Sequence, residues 1–402
     1  MHKDEIETML DALPLRYERD AYDHFLKKSK CTPSFPCVNI VGSNGKSATA
    51  IYLSSIYSST YKVGLLINQY LNSSLECIRY NGEPISEEDF SRIYEEERKR
   101  IEKEELSRWE ILSYIAYRYF EEKKVDIAIL ESSLGGAVDA SFIEDADQRL
   151  VILTSLSLEH TQYLGTTISQ IALNKVSLLK EDSKLLVCPL NDEIRLLLLD
   201  YASSMDAGFY VVDAAHFEKV VDGSYQFHYR PYQTVTISSL AKYLIKDASL
   251  ALEACSLLKD QFPVDEEKVL EAVKKVKIPC MNELVLDDVF DLASNTEASE
   301  ALVESLSVYH RPVYFLFAAN REMNIATILP FLSNYCVSSI ITSCPGPNMR
   351  HEEGYFFYLE DYEYIDDPKM AYAKLRGEHP SDLILITGSK NFVTYMRREL
   401  VK

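Results

Sequence analysis

The decapeptide VGSNGKSATA, residues 41–50, ends the apolar run CVNIVG (37–42) and leads into a stretch of helical period. Glycines at 42 and 45 permit backbone angles that turn successive N–H groups toward one point. A helix beginning near Lys46 aims its positive end at the same point. That arrangement suits phosphate, with Lys46 as a mobile charge for the outer groups and Ser47 or Thr49 within reach of a bound Mg²⁺. Strict Walker spacing would want glycine at position 40, where Ile40 stands, so the loop is of a shorter, different kind. A glycine turn between strand and helix is also a common structural feature. The lysine directly after Gly45 favours a nucleotide.

Working outward, the short runs VGLLI (63–67), VDIAIL (125–130) and RLVILT (149–154) alternate with helical stretches, the pattern of βαβ units and a parallel sheet. The charge-rich segment 85–106 reads as an exposed helix. From about residue 181 to Tyr232 the pattern is short and β-like, and two helices follow, from about Ser249 to Gln261 and from Glu266 to Val276. Pro279 then stops the helical signal, and a new strand-helix series runs to the end of the chain. A domain boundary is placed there, giving an α/β domain that carries the phosphate loop over 1–280 and a smaller Rossmann-like α/β domain over 281–402.

The 402 residues carry a formal charge of −20 with no basic run, which opposes a nucleic-acid partner. Eight cysteines are widely spaced without a CxxC pair, so neither a zinc site nor a disulfide framework is indicated, and a reducing cytoplasm is expected. No apolar run approaches the roughly 20 residues that span a bilayer. The expectation is a protein with no membrane partner that works as a monomer.

GSNGKS (42–47) resembles the phosphate loop of the Mur ligase superfamily, and further blocks resemble its folylpolyglutamate synthase and dihydrofolate synthase branch. These are residues 63–86, KKVDIAILESSLGGAVDAS (123–141) and LTSLSLEHTQYLGTTISQIALNKVSLLK (153–180), the last similar without a gap to a family segment containing LDHT. In the second half, FDLASNTEASEALVESL (290–306), FAANREMNI (317–325) and DLILITGS (382–389) are weaker matches. The resemblance implies a Mur-ligase-like fold and an enzyme that joins a folate or pteroate carboxylate to glutamate, using ATP and Mg²⁺ through an acyl phosphate. Both steps build negative charge, which asks for a cationic, water-poor site.

By the same resemblance, Gly42, Ser43, Asn44, Gly45, Lys46 and Ser47 hold the ATP phosphates, and Glu131 and His160 are Mg²⁺ ligands, with Asn68 standing where the family has a metal-binding serine. Lys46, His160 and Lys175 are the catalytic candidates, Lys175 matching a lysine that is carbamylated in the family to support a second metal. Asp291 and Asn295 match polar residues that serve nucleotide and amino acid. Residue by residue, plainer readings exist: a turn residue for His160, a helix-surface lysine for Lys175, a strand-end acid for Asp291.

Departures from the pattern cluster at ligand positions. The family's TSPH becomes Ile67, Asn68, Gln69 and Tyr70; the arginine of GGR becomes Ala137; PGR becomes Pro279, Cys280 and Met281. The amide of HQxxN becomes Asp247, the histidine of DGAHNP becomes Ser294, and the lysine of DKD becomes Met323. Arg321 and Lys390 are the cations available to compensate. Loss of one charge-stabilising group typically costs about 10² to 10³ in rate. The leading reading is therefore a folylpolyglutamate synthase-type ligase; its alternatives are an ATP-binding relative that has lost ligation and a Mur-type ligase for a non-folate carboxylate.

Overall fold

The structure, a computed structural model, describes residues 1–14, 19–29, 31, 33–346, 348–358 and 360–401, with Phe217 described in its backbone alone. The chain folds as two compact units, Met1–Phe217 with Phe227–Thr236 and Lys246–Val276, and Glu218–Gln226 with Ile237–Ile245 and Lys277–Lys402.

The first unit is built on strands β1 (Pro36–Val41), β2 (Val63–Leu66), β3 (Ile78–Tyr80), β4 (Glu83–Pro84), β5 (Ile127–Glu131), β6 (Asp147–Leu153), β7 (Lys184–Val187) and β8 (Gly208–Val211), in the spatial order β4-β3-β2-β5-β1-β6-β7-β8. From β2 to β8 all neighbours are parallel. Parallel strands are covered on both faces, which is why β2 and β5 are unbroken buried runs rather than alternating ones. The register sets Ile40 opposite Glu131 on one side and opposite Ile152 on the other. The chain winds to one side of β1 before β5 and to the other from β6 onward. The carboxyl ends of β5, β1 and β6 therefore flank a topological switch point, where open α/β sheets place their ligands.

Helices α1 (Lys3–Asp11), α2 (Asp20–Ser29), α3 (Lys46–Ser58), α4 (Glu87–Lys103), α5 (Arg108–Lys123), α6 (Thr161–Leu164), α7 (Ile168–Val176), α8 (Asp192–Ser204), α9 (Leu244–Leu257) and α10 (Glu266–Lys275) complete this unit. On one face Phe25, Phe90, Tyr114, Tyr117 and Phe120 pack in a large aromatic core. A second core joins Val41, Val151, Leu153, Leu185 and Leu198. The charge-rich α4 buries Phe90, Ile93, Tyr94 and Ile101 along one stripe, and Ser86 caps it by accepting from Asp89 N at 3.0 Å.

Two expectations are corrected here. Residues 181–232 are not β-like throughout, because α8 lies among them: Asn191 caps it, and Ile194, Leu198 and Ala202 recur every four residues on its buried face. Lys175 is not a helix-surface lysine but is fully buried, on the face of α7 that also buries Ile171 and Ala172.

Strands β9 (His216–Val221), β10 (Ser224–Tyr229) and β11 (Tyr232–Ile237) form a separate three-stranded sheet. The second unit holds strands β12 (Glu283–Val285), β13 (Asp288–Asp291), β14 (Val313–Ala318), β15 (Ser338–Thr342), β16 (Glu363–Ile365) and β17 (Leu383–Gly388), in the order β12-β13-β17-β14-β15-β16. All but β12 pair in parallel. Helices α11 (Thr296–Leu306), α12 (Ile325–Tyr335), α13 (Pro368–Glu378) and α14 (Lys390–Leu400) connect or follow them. Phe315, Phe317, Leu329 and Leu385 lie in its core.

Candidate active site

The loop between β1 and α3 has little conformational choice. Gly42 sits at φ +142° and Gly45 at +84°, and a Cβ on either would come within 2.2 Å of a side-chain oxygen, Thr154 Oγ1 and Asp247 Oδ1 respectively. Glycine is therefore required by both backbone and space. The loop following β6 ties it down: Asn44 N donates to Ser155 Oγ at 2.8 Å, Thr154 Oγ1 donates to Asn44 O at 2.7 Å, and Ser43 Oγ accepts from Ser157 N at 3.0 Å. Lys46 folds back over the loop, its Nζ donating to Gly42 O at 3.0 Å and Ser43 O at 2.9 Å.

Glu131, at the end of β5, is buried and accepts from Ser47 Oγ at 2.7 Å and from Asn68 N at 3.0 Å on the same oxygen. The Asn68 amide donates to Ser133 Oγ at 3.2 Å. Thus Gly42 to Ser47, Glu131 and Asn68 are brought together at the switch point. His160 lies exposed at the start of the single-turn α6, in left-handed backbone conformation at φ 47°.

Lys175 donates to Gly42 O at 2.9 Å, Leu134 O at 3.4 Å and Glu159 Oε1 at 2.9 Å. Burial and the neighbouring Lys46 hold its ammonium below the usual lysine range, partly offset by Glu159. Burial raises the Glu159 carboxyl, but Lys175, Lys46 and hydrogen bonds from Lys175 and Ser43 outweigh it and leave the group below its ordinary value. Reasoning from sequence passed over Glu159, although it stands in the same block as His160.

Two neighbouring turns are also held by named groups. Asp139 accepts from Leu134 N at 2.7 Å and Gly135 N at 3.0 Å, while Arg19 donates to Ala137 O at 3.0 Å, Asp139 O at 2.6 Å and Phe142 O at 2.7 Å. Loop 67–76 is pinned by carboxylates: Glu7 accepts from Ser73 Oγ, Ser74 N and Ser74 Oγ, and Glu76 from Leu71 N and Asn72 N. Arg108 donates to Tyr70 Oη at 2.7 Å with its guanidinium 5.3 Å from the ring centre.

In the second unit, Asp291 ends β13 as a buried carboxyl that accepts from Tyr243 Oη at 2.6 Å and Asn282 N at 2.8 Å. Burial pushes its pKa up to about 7 against these donors. Asn295 caps α11, its side chain accepting from Ala298 N at 2.9 Å. Cys280 and Met323, standing where the resemblance has PGR and DKD, are buried.

Among the described residues no three His, Cys, Asp or Glu side chains converge as a metal cage. A hard ion that keeps its waters and takes phosphate oxygens needs no such cage, and Glu131 with the Ser47 hydroxyl 2.7 Å away is the donor chemistry that suits it. No helix among the described residues is long and apolar enough to cross a membrane.

Residues 40–246 match the family model described as the Mur ligase middle domain. The dihydrofolate synthase/folylpolyglutamate synthase of Bacillus subtilis is 24% identical over 387 residues, covering 90% of each chain. The folylpolyglutamate synthase structure from Thermotoga maritima superposes with a TM-score of 0.84 at 25% identity, covering 100% of this chain and 97% of that one. The bifunctional folylpolyglutamate synthase/dihydrofolate synthase of Yersinia pestis, solved with AMPPNP and a Mn ion, shares the fold with a TM-score of 0.86 at 21% identity, covering 100% and 98%. The chain belongs to the Mur ligase superfamily and, within it, to the folylpolyglutamate synthase family.

Proposed function

We propose that this protein is an ATP-dependent ligase that adds L-glutamate to the carboxylate of a folate through an acyl phosphate. The observation that carries the reading is the joining of a phosphate loop, Lys46 and Glu131 at one switch point, in a chain aligned with the Bacillus subtilis enzyme over nine tenths of its length.

α3 begins at Lys46 directly after the left-handed Gly45, so its N-terminal amides and positive dipole end face the loop and suit an anionic group there. Lys46 Nζ lies on the loop carbonyls, within a side-chain rotation of a bound phosphate, and neutralises charge there as the carboxylate oxygen attacks the terminal phosphorus. The glutamate amine then displaces phosphate from the acyl phosphate. Mg²⁺, bound by Glu131 with Ser47, Asn68 and His160 as candidate partners, would supply charge neutralisation of the phosphates. Asp291 and Asn295 are assigned to the nucleotide and incoming amino acid, with residues 1–280 as the ATP-binding part and 281–402 as the glutamate part. A monomer in a reducing cytoplasm suits eight buried, unbridged cysteines.

A second reading has one specific observation in its favour. Met281 and Met323 are uncharged where the family pattern has an arginine that serves ATP and a lysine. A ligase for another carboxylate, or a nucleotide-binding relative without ligation, would tolerate that loss. Incubation of purified protein with Mg²⁺-ATP, L-glutamate and tetrahydrofolate separates the readings. The expected product is heavier by one glutamate residue. ATP bound without any such product, across folate and non-folate carboxylates alike, refutes ligation.

A further inference from the structure

The segment 352–367, EEGYFFYLEDYEYIDD, carries seven acids and six aromatic residues without a lysine or arginine. Most of its rings serve the core of the second unit. Tyr355 is buried and accepts from Ala319 N at 2.7 Å, Tyr362 stands edge-on to Phe315 at 6.3 Å, and Tyr364 lies 6.0 Å from Tyr355. Phe356 and Phe357 do not: they are 70% and 90% exposed, their ring centres 5.7 Å apart in an edge contact. Adjoining phenylalanines left in water mark a contact surface rather than a solvated loop.

Beside them is a cavity of about 660 Å³, lined by Val337, Phe357 and Tyr358 and by the carboxylates of Asp361, Glu363 and Glu378. One wall is a sheet edge. β16 pairs with β15 only from Ile340 onward, so Ser338 and Ser339, which also line the cavity, have no strand on that side among the described residues. Backbone groups at such an edge are completed by a strand from outside. The carboxylates are only partly answered from within. Lys374 donates to both oxygens of Glu363, at 2.6 and 2.5 Å, and lies 4.0 Å from Glu378, while no cation pairs with Asp361 among the described residues.

We propose that this groove docks an extended, basic segment of a partner protein, built of alternating arginine and apolar residues. Its backbone continues the edge at Ser338 and Ser339. Side chains of a strand alternate between two sides, so the apolar set enters the cavity against Val337, Phe357 and Tyr358 while arginines reach the rim. There a guanidinium finds the carboxylates of Asp361 and Glu378 and the faces of Phe356 and Phe357. A second copy of this chain is the wrong occupant, because at a net charge of −20 with no basic run two copies repel across an acidic rim. The groove lies at the amino end of β15, whereas Asp291 closes the carboxyl end of β13 in the same parallel series. A partner docked here leaves that carboxyl edge open.

Nothing in the proposal depends on ligation. Fluorescence anisotropy of short labelled peptides, with the full chain as titrant, tests it. A peptide of alternating arginine and valine is expected to bind about tenfold or more tightly than one of arginine and glycine, which has the same charge but no apolar side chains. Phe357→Ser combined with Asp361→Asn should weaken the arginine–valine peptide by about tenfold or more. Both positions are exposed, so the melting temperature should stay close to that of the unaltered chain. If that variant does not fold, Val337→Ser, at a side chain 64% exposed, takes its place with the same expectation. Absence of saturable binding, equal binding of the arginine–glycine peptide, or a folded variant that binds as tightly as the unaltered chain overturns the proposal. So does sedimentation showing a dimer that the variant dissolves, which would give the groove to a second copy.

Discussion

Two strand-end carboxylate clusters, one in each unit, have opposite electrostatic character. In the first, Glu159 faces the Lys175 ammonium and Glu131 accepts from a hydroxyl and a backbone amide beside Lys46. In the second, Asp291 is buried, but its donors are the neutral Tyr243 hydroxyl and backbone amides, and its pKa rises to about 7. The difference teaches where the family pattern has been kept. The phosphate-binding unit keeps Lys46 and Lys175, although the arginine of its GGR turn has become Ala137, whereas the arginine and lysine positions of the second unit have become Met281 and Met323. Charge stabilisation therefore rests on the first unit.

If so, the largest effect should come from Lys46. Lys46→Ala is expected to cut ATP-dependent turnover by about 10² to 10³, the usual cost of one charge-stabilising group, with the melting temperature little changed. Turnover that survives within tenfold would break the comparison. Both quantities come from an ADP-release assay and a thermal melt of the same preparation.

Next in size is the pH dependence of the second cluster. An unfolded aspartate titrates near 4, so between about 4 and 7 folded Asp291 holds a proton that the unfolded chain lacks. Its contribution is fully present below about pH 4 and is lost as pH rises through about 7, with a ceiling of about 4 kcal/mol at roughly 1.4 kcal/mol per unit. Asp291→Asn should flatten that part of the stability curve. Urea unfolding of both proteins from pH 5 to 8 checks this, and parallel curves would mean that a cation does reach Asp291.

Gly45→Ala comes third. The left-handed backbone and the close Asp247 oxygen predict a loss of about 1 to 3 kcal/mol together with weaker nucleotide binding. The smallest effect is expected at the loop 67–76. Glu7→Ala removes three hydrogen bonds, each worth about 1 kcal/mol net at most. It should lower stability in urea unfolding by no more than that sum while leaving KM for ATP unchanged; a raised KM for ATP would show that this loop and the phosphate loop act as one piece.

Much of this was readable in the sequence because local signals agreed. The run 37–42, two glycines and a helix start at Lys46 place β1, the phosphate loop and α3 within a residue of where they stand. Elsewhere local signals were ambiguous. The four consecutive leucines of α8 match a buried strand as well as a helix, and only the Asn191 cap and the element's 13-residue length decide between them. Lys175 gave no sign of burial, since a lysine on a helix is ordinarily solvated and its partners lie 16, 41 and 133 residues away. The Asp247 carboxylate against Gly45 is likewise a contact across the fold that no local pattern encodes.

The measurement that reaches the central claim most directly is isotope transfer. With both oxygens of the acceptor carboxylate labelled with ¹⁸O, ligation through an acyl phosphate carries one labelled oxygen into the phosphate released at each turnover. Phosphate carrying one ¹⁸O, formed only when both folate and glutamate are present, is the expected result. Unlabelled phosphate, or ADP formed without either acceptor, would contradict the account.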